Sequence, residues 1–266
     1  MNNTSPYPVI DIDAHPPLVP MHIDHVGTMD AERFFERLSC AGIGMVCGTP
    51  AVPSDFFEIH GVMRAVSLRN EGALRLASEY PRYCPVLSVH PDCAEFSVGQ
   101  LKKYRAEGVN LLEIEAEWLN RAELEPILEC AQALGMTAIL QGETMAQARE
   151  VAKRFPALGL LVGARRSKSY LPAAAHKLMQ ECPNVGVILS GVIWLLNYGM
   201  HEWTQRLGAE KLFFGTGYPL CNPAAKLAAV KWELRDQPSD IAERVLSKNA
   251  RCLFDGETSG AEGGRA

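Results

Sequence analysis

Residues able to carry acid–base or metal chemistry fall at the closing ends of short apolar runs. The first run ends in Asp11, Asp13 and His15, and later runs end in Thr49, His90, Glu113 with Glu115, Gln141 with Glu143, Arg165, Ser190, and Gly217 with Tyr218. In an extended chain, side chains two residues apart share a face, so Asp13 and His15 can move a proton between them or hold a cation together. Glu113 with Glu115, and Gln141 with Glu143, share faces in the same way. His90, in Ser88-Val89-His90-Pro91, offers an imidazole of accessible pKa as a general base, or it merely shapes the loop. Arg165, followed by Arg166 and Lys168, can clamp a substrate carboxylate, or it can be a solvated basic turn. Ser190 lacks the G-x-S-x-G elbow that a serine nucleophile uses. His22 and His25 lie where no helix is expected, so their spacing does not put them on one face.

Eight apolar runs carry these residues: Val9–His15, Gly42–Pro50, Tyr83–Pro91, Val109–Ala116, Thr137–Thr144, Leu158–Ala164, Val185–Gly191 and Lys211–Pro219. Their continuous apolar character, without alternation, is that of parallel strands covered on both faces. Helical periodicity follows each run: Asp30–Cys40, Val62–Glu79, Val98–Glu107, Met145–Phe155, Pro172–Glu181, Tyr198–Leu207, Ala224–Arg235 and Asp240–Leu253. A further helix has Asn120 with Glu123 as its N-cap pattern and Gly135 as its stop. Strict alternation of strand and helix predicts an α/β fold, a (β/α)8 TIM barrel spanning residues 1–254, because closing the sheet removes both edges. An open doubly wound sheet is the runner-up, but the loop after the first run is rich in proline (Pro16, Pro17, Pro20) and no glycine-rich nucleotide fingerprint is present. Residues 255–266, nearly devoid of apolar side chains, are expected to be a disordered polar tail.

A net charge of −5 gives no electrostatic reason to expect nucleic acid or a membrane surface as a partner. The polar start, Met1 to Pro8, lacks a basic segment followed by an apolar run, so a cytoplasmic location is expected. The eight cysteines show no C-x-x-C spacing and read as reduced thiols, five of them inside apolar stretches. Trp194, Tyr198 and Trp203 read as helix packing.

Ile10-Asp11-Ile12-Asp13-Ala14-His15 resembles the opening I-D-x-H-x-H of the amidohydrolase-related family, with Asp13 at the first histidine position. Phe213-Phe214-Gly215-Thr216-Gly217-Tyr218-Pro219 is similar to its F-G-T-D-Y-P strand, and Asn249-Ala250-Arg251-Cys252-Leu253-Phe254 to its closing N-A-x-x-L-F helix. The resemblance implies a barrel holding one or two divalent metals through histidines on strands one, five and six and an aspartate on strand eight. Here Gln141, Ala164 and Gly217 stand at the strand-five, strand-six and strand-eight positions, His15 alone is kept, and Glu113 falls where some members carry a carboxylated lysine. A zinc-type site needs three or four donors, and alanine and glycine offer none. No resident cofactor is therefore expected. The exception is a weakly bound divalent metal, magnesium or manganese, held by Asp13, His15 and Glu113; the plainer alternative is that Asp13 and His15 pair with each other or with Arg165.

The expectation is an amidohydrolase-related hydrolase or decarboxylase-like enzyme, with a degenerate or absent metal site, acting on a small molecule that carries a carboxylate. Asp13, His15, His90 and Glu113 are the catalytic candidates; Gln141, Arg165, Ser190 and Tyr218 are the substrate-binding ones. The alternative is a catalytically inactive barrel that binds a small molecule or a protein. A homodimer is a family-level expectation.

Overall fold

The computed structural model describes residues 7–24, 26–142, 145–163, 172–190, 204–205 and 208–255. Eight parallel strands follow one another round a barrel: β1 (Ile10–Asp11), β4 (Met45–Gly48), β5 (Tyr83–Ser88), β6 (Leu111–Glu115), β7 (Thr137–Gln141), β8 (Gly159–Gly163), β9 (Val185–Leu189) and β10 (Leu212–Phe214). The last strand returns to the first. The Ile12 amide donates to the Phe214 carbonyl at 3.1 Å, that of Gly217 to Asp13 at 2.7 Å, and that of His15 to Tyr218 at 2.9 Å. Each strand lies within one of the eight expected runs, and the (β/α)8 barrel is the observed architecture.

Alternation along each strand sorts the core into two layers. One residue or more from every strand, among them Ile12, Val86, Leu111, Ile139, Ile188 and Phe213, meets inside the barrel, with Ala250, Leu253 and Phe254 packed against them. Side chains of opposite parity, such as Leu87, Leu112, Leu140 and Val187, pack outward against the helices in a larger cluster. Burial of these continuous apolar faces is what makes a parallel sheet stable, at about 25 cal/mol per Å² of apolar surface removed from water.

The helices include α1 (Ala31–Cys40), α2 (Phe56–His60), α3 (Val62–Glu79), α4 (Ala94–Ala106), α5 (Glu125–Ala133), α6 (Met145–Arg154), α7 (Pro172–Glu181), α8 (Pro223–Glu233), α9 (Ser239–Glu243) and α10 (Asn249–Asp255). Asp30 caps α1 through a bond from the Arg33 amide, and Asn222 caps α8. Four details differ from the sequence expectation. The loop after β1 contains an antiparallel hairpin, β2 (Met21–Ile23) with β3 (Gly27–Met29), which is too short to show a period. The short helix α2 is additional. Asn120 does not cap α5: a 3₁₀ turn over Ala122–Leu124 intervenes and Pro126, which needs no amide partner, opens the helix. The last expected helix is divided by a π-helical stretch, Arg244–Lys248, at which Ser247 donates to the Pro8 carbonyl and, one residue on, Asn249 donates to the Ala209 and Leu212 carbonyls. The tail after Asp255, most of the expected helix Tyr198–Leu207 with Tyr198 and Trp203, and Trp194 ahead of it lie outside the described residues.

Candidate active site

Two residues beyond the apolar layer, on the same inward face, the strands carry Thr49, Ser88, Glu113, Gln141 and Ser190, all buried. Asp13 and His15, just past β1, are buried beside them, at 0% and 5% exposure. The barrel thus has a polar storey stacked on an apolar one, at the C-terminal ends of the strands.

The hydrogen bonds within this storey are specific. His15 Nδ1 donates to the Thr49 carbonyl at 2.9 Å, and its Nε2 lies 3.0 Å from Asp13 Oδ1 and 4.0 Å from Glu113 Oε2. Gln141 Nε2 donates to the same Asp13 oxygen at 2.7 Å. The Thr49 hydroxyl donates to Glu113 Oε1 at 2.8 Å and accepts from Arg69 Nη2 at 2.9 Å, while Arg69 Nε donates to the Pro50 carbonyl. A carbonyl oxygen accepts only, so Nδ1 carries a hydrogen. Nε2 faces a carboxylate oxygen at 3.0 Å, a distance at which imidazole and carboxylate can share a proton. Among the described residues Glu113 Oε2, Gln141 Oε1, Ser88 Oγ and Ser190 Oγ are buried without a hydrogen-bond partner. Buried polar atoms rarely stay so, and these four are available to something that enters the barrel mouth.

Asp11 anchors the storey from behind. Its Oδ1 accepts from the Asp13 and Thr216 amides at 3.0 Å and its Oδ2 from the Thr216 hydroxyl, tying β1 to β10. Burial pushes its carboxyl up to about 6, against the hydrogen bonds from Thr216 and Asp13 that lower it. Lys226, on α8, is fully buried, and burial lowers its ammonium to about 8 although Cys221, Asp11 and Asp13 favour the charged form. Gly215 is needed for the close approach of these strands: a Cβ there would stand 3.0 Å from that of Asp13 and 3.3 Å from that of Ser190. Gly217 has a φ of 71°, a left-handed conformation that suits glycine.

The structure therefore brings Asp13, His15, Glu113 and Gln141 into one network and places Ser190 beside it. His90 stands apart from that network. Its Nδ1 accepts from the Asp92 amide at 3.1 Å, burial lowers its pKa, and its ring lies 4.6 Å from Trp118 and 6.0 Å from Phe57. Tyr218 points away: its ring packs on Phe34 at 5.0 Å and its hydroxyl contacts Met29 Sδ, because the turn at Gly217 sends it into the outer layer. There it borders a groove of about 540 Å³ between α1 and the loop after β10, outside the barrel. Arg165, Ala164 and Glu143 lie outside the described residues. Sequence reading missed Arg69, Lys226 and the anchoring role of Asp11.

Comparison with known proteins decides the lineage. The family model described as amidohydrolase matches residues 80–256, about two thirds of the chain. The chain belongs to the amidohydrolase family. No curated protein matches it. Among solved structures, the amidohydrolase barrel is similar to 5-carboxyvanillate decarboxylase of Sphingomonas paucimobilis (TM-score 0.70, 14% identity, 94% of this chain and 99% of that one). It is also similar to the Novosphingobium aromaticivorans 5-carboxyvanillate decarboxylase, solved with manganese and 4-hydroxy-3-methoxy-5-nitrobenzoic acid (0.73, 14%, 96% and 98%). A third is 2,6-dihydroxybenzoate decarboxylase from Rhizobium (0.69, 12%, 94% and 99%). At such identities the likeness shows the shared fold.

An ion at the family's metal position would have to use Asp13, His15 and Glu113. Among the described residues no group of three or more His, Cys, Asp or Glu is arranged to hold one. His15 turns the nitrogen that would ligate toward Asp13, and Gln141 puts an amide NH₂, which cannot ligate, on that same carboxylate.

Proposed function

We propose that this amidohydrolase acts on a small aromatic carboxylate by proton transfer, most simply by decarboxylation, from a metal site altered beyond holding an ion tightly. The observation that carries the reading is the 3.0 Å contact between His15 Nε2 and Asp13 Oδ1 inside a buried polar storey. Removing CO2 from an aromatic acid requires a proton at the ring carbon that bears the carboxylate; the C–C bonding pair then becomes the new C–H bond. His15, with Asp13 behind it, supplies that proton and is recharged from solvent. Glu113 Oε2 and Gln141 Oε1, both acceptors, suit ring hydroxyls. Arg69, half-buried next to Thr49, supplies the cation for the carboxylate, and Phe57, His90 and Trp118 form an aromatic wall beside it. The solved relatives are decarboxylases of substituted benzoates, which supports this substrate class. His90 thus serves as wall rather than base, and Ser190 as a second hydroxyl toward the ligand. The donors as placed do not fit an ion, because His15 Nε2 and the Gln141 amide both lie on Asp13 Oδ1.

Two further expectations belong to the same proposal. All eight cysteines are free thiols, which supports a reducing cytoplasm, and the homodimer rests on the family alone. Among the described residues no helix is long and apolar enough to cross a membrane.

The test is CO2 release from a panel of hydroxylated benzoates, with lactones and amides in parallel, by protein treated with chelator and by protein supplied with manganese. Release by the chelated protein that falls at least about 100-fold in His15→Gln is expected. Turnover only with manganese would remove the metal-free part of the reading. No turnover under either condition, with tight binding of panel members, would replace the enzyme with a binding module.

A further inference from the structure

Cys47 and Cys84 are far apart in sequence yet direct partners in the parallel pairing of β4 with β5. Both belong to the apolar storey inside the barrel, where Cys47 is fully buried and Cys84 half-buried. Adjacent strands lie about 4.8 Å apart, within the 4.4 to 6.8 Å between Cα atoms that a disulfide spans. We propose that Cys47 and Cys84 are a redox-modification site, a dithiol that a hydroperoxide closes to a disulfide and that small thiols reopen.

The chemistry assigns the two roles. Cys47 beside it holds the Cys84 thiol below its ordinary range, although burial works the other way; burial pushes Cys47 well up. Cys84, the more accessible and more acidic thiol, is the attacking one. Its sulfur takes the distal oxygen of the peroxide, the O–O bond breaks, and a sulfenic acid and one water result. Cys47 sulfur then attacks that sulfenic sulfur. The S–O bond breaks, the S–S bond forms, and a second water leaves with the Cys47 proton. Two thiols lose two electrons and two protons, and one hydrogen peroxide becomes two waters.

The pair also sits where such a bond would reach the active site. A disulfide needs its Cβ atoms about 3.8 Å apart, closer than paired residues of parallel strands hold them, so β4 and β5 must be drawn together. Thr49, two residues beyond Cys47 on the same face, carries both the carbonyl that holds His15 and the hydroxyl that holds Glu113. Strain of this kind makes the bond easy to reduce, as a reversible site requires.

The test treats the full-length reduced protein with graded hydrogen peroxide, blocks the remaining thiols, and maps peptides; the chemistry does not depend on the decarboxylase reading. The expected result is a Cys47–Cys84 linked peptide, with a mass loss of about 2 Da reversed by dithiothreitol. Cys47→Ser is expected to leave Cys84 as a sulfenic acid trapped by dimedone. Absence of the linked peptide at doses that oxidise the exposed Cys40 overturns the proposal, as does accumulation of sulfinic acid at Cys84 in the unsubstituted protein.

Discussion

At the scale of single residues, the chemistry turns on where protons and charges are held. Asp11 is an acid whose proton is bound more tightly in the folded state, since burial raises it from 3.8 to about 6. Such a group adds stability below its usual pKa and loses it as pH rises through 6, so unfolding free energy should fall by roughly 2 kcal/mol between pH 4 and 7 from this residue alone. Asp11→Asn, which keeps an acceptor for the Asp13 and Thr216 amides, should flatten that slope in urea titrations run across this range; an unchanged slope would remove Asp11 as its source. Arg69 should act on binding. Arg69→Met is expected to raise KM for an aromatic carboxylate about 10- to 100-fold, the worth of a charged hydrogen bond, with a smaller change in kcat and partial recovery in Arg69→Lys. A kcat loss with unaltered KM would make Arg69 only a support for Thr49. Asp13, His15, Glu113 and Gln141 were legible in the sequence because each closes a strand, and strand ends form the mouth of a barrel. Arg69 and Lys226 were not, because they sit within helices whose periodicity says nothing of what the side chain reaches.

At the scale of elements, the strands were legible and the connections were not. Leu160-Leu161-Val162 reads as a covered strand between its flanking turn signals, whereas the β2–β3 hairpin is three residues on each side and leaves no period to detect. The Asn120 cap failed for a local reason, since Pro126 supplied a better helix start. Gly217 shows a limit of comparing letters: the sequence gives a missing donor, while the backbone there also adopts a φ of 71° that a glycine accepts most readily. Close packing at β4 gives a direct test. A Cβ on Gly48 would stand 2.1 Å from the Ala14 carbonyl oxygen, a backbone atom that cannot move aside without shifting His15. Gly48→Ala should therefore cost about 3 kcal/mol or more, lowering Tm by on the order of 10 °C. A Tm within a degree or two of the parent would mean that β1 and β4 are less tightly apposed.

At the scale of the whole molecule, the barrel serves to put a wet task over a dry floor. The interior layer fixes eight strands in register, and the next residue on each inward face inherits its position from that packing. This is why side chains from just past β1 and β4 and from β6 and β7, distant in sequence, converge on one hydrogen-bonded network. The same logic separates the mouth from the groove beside α1, which is larger than a water site but holds none of the His15 network. Crystals soaked with a nitro-substituted hydroxybenzoate would distinguish the two most directly. The account predicts density at the barrel mouth, with the ring's polar groups within hydrogen-bonding reach of Glu113 Oε2 and Gln141 Oε1 and its acidic group on Arg69. Density confined to the groove between α1 and the loop after β10, with the mouth left to solvent, would contradict it.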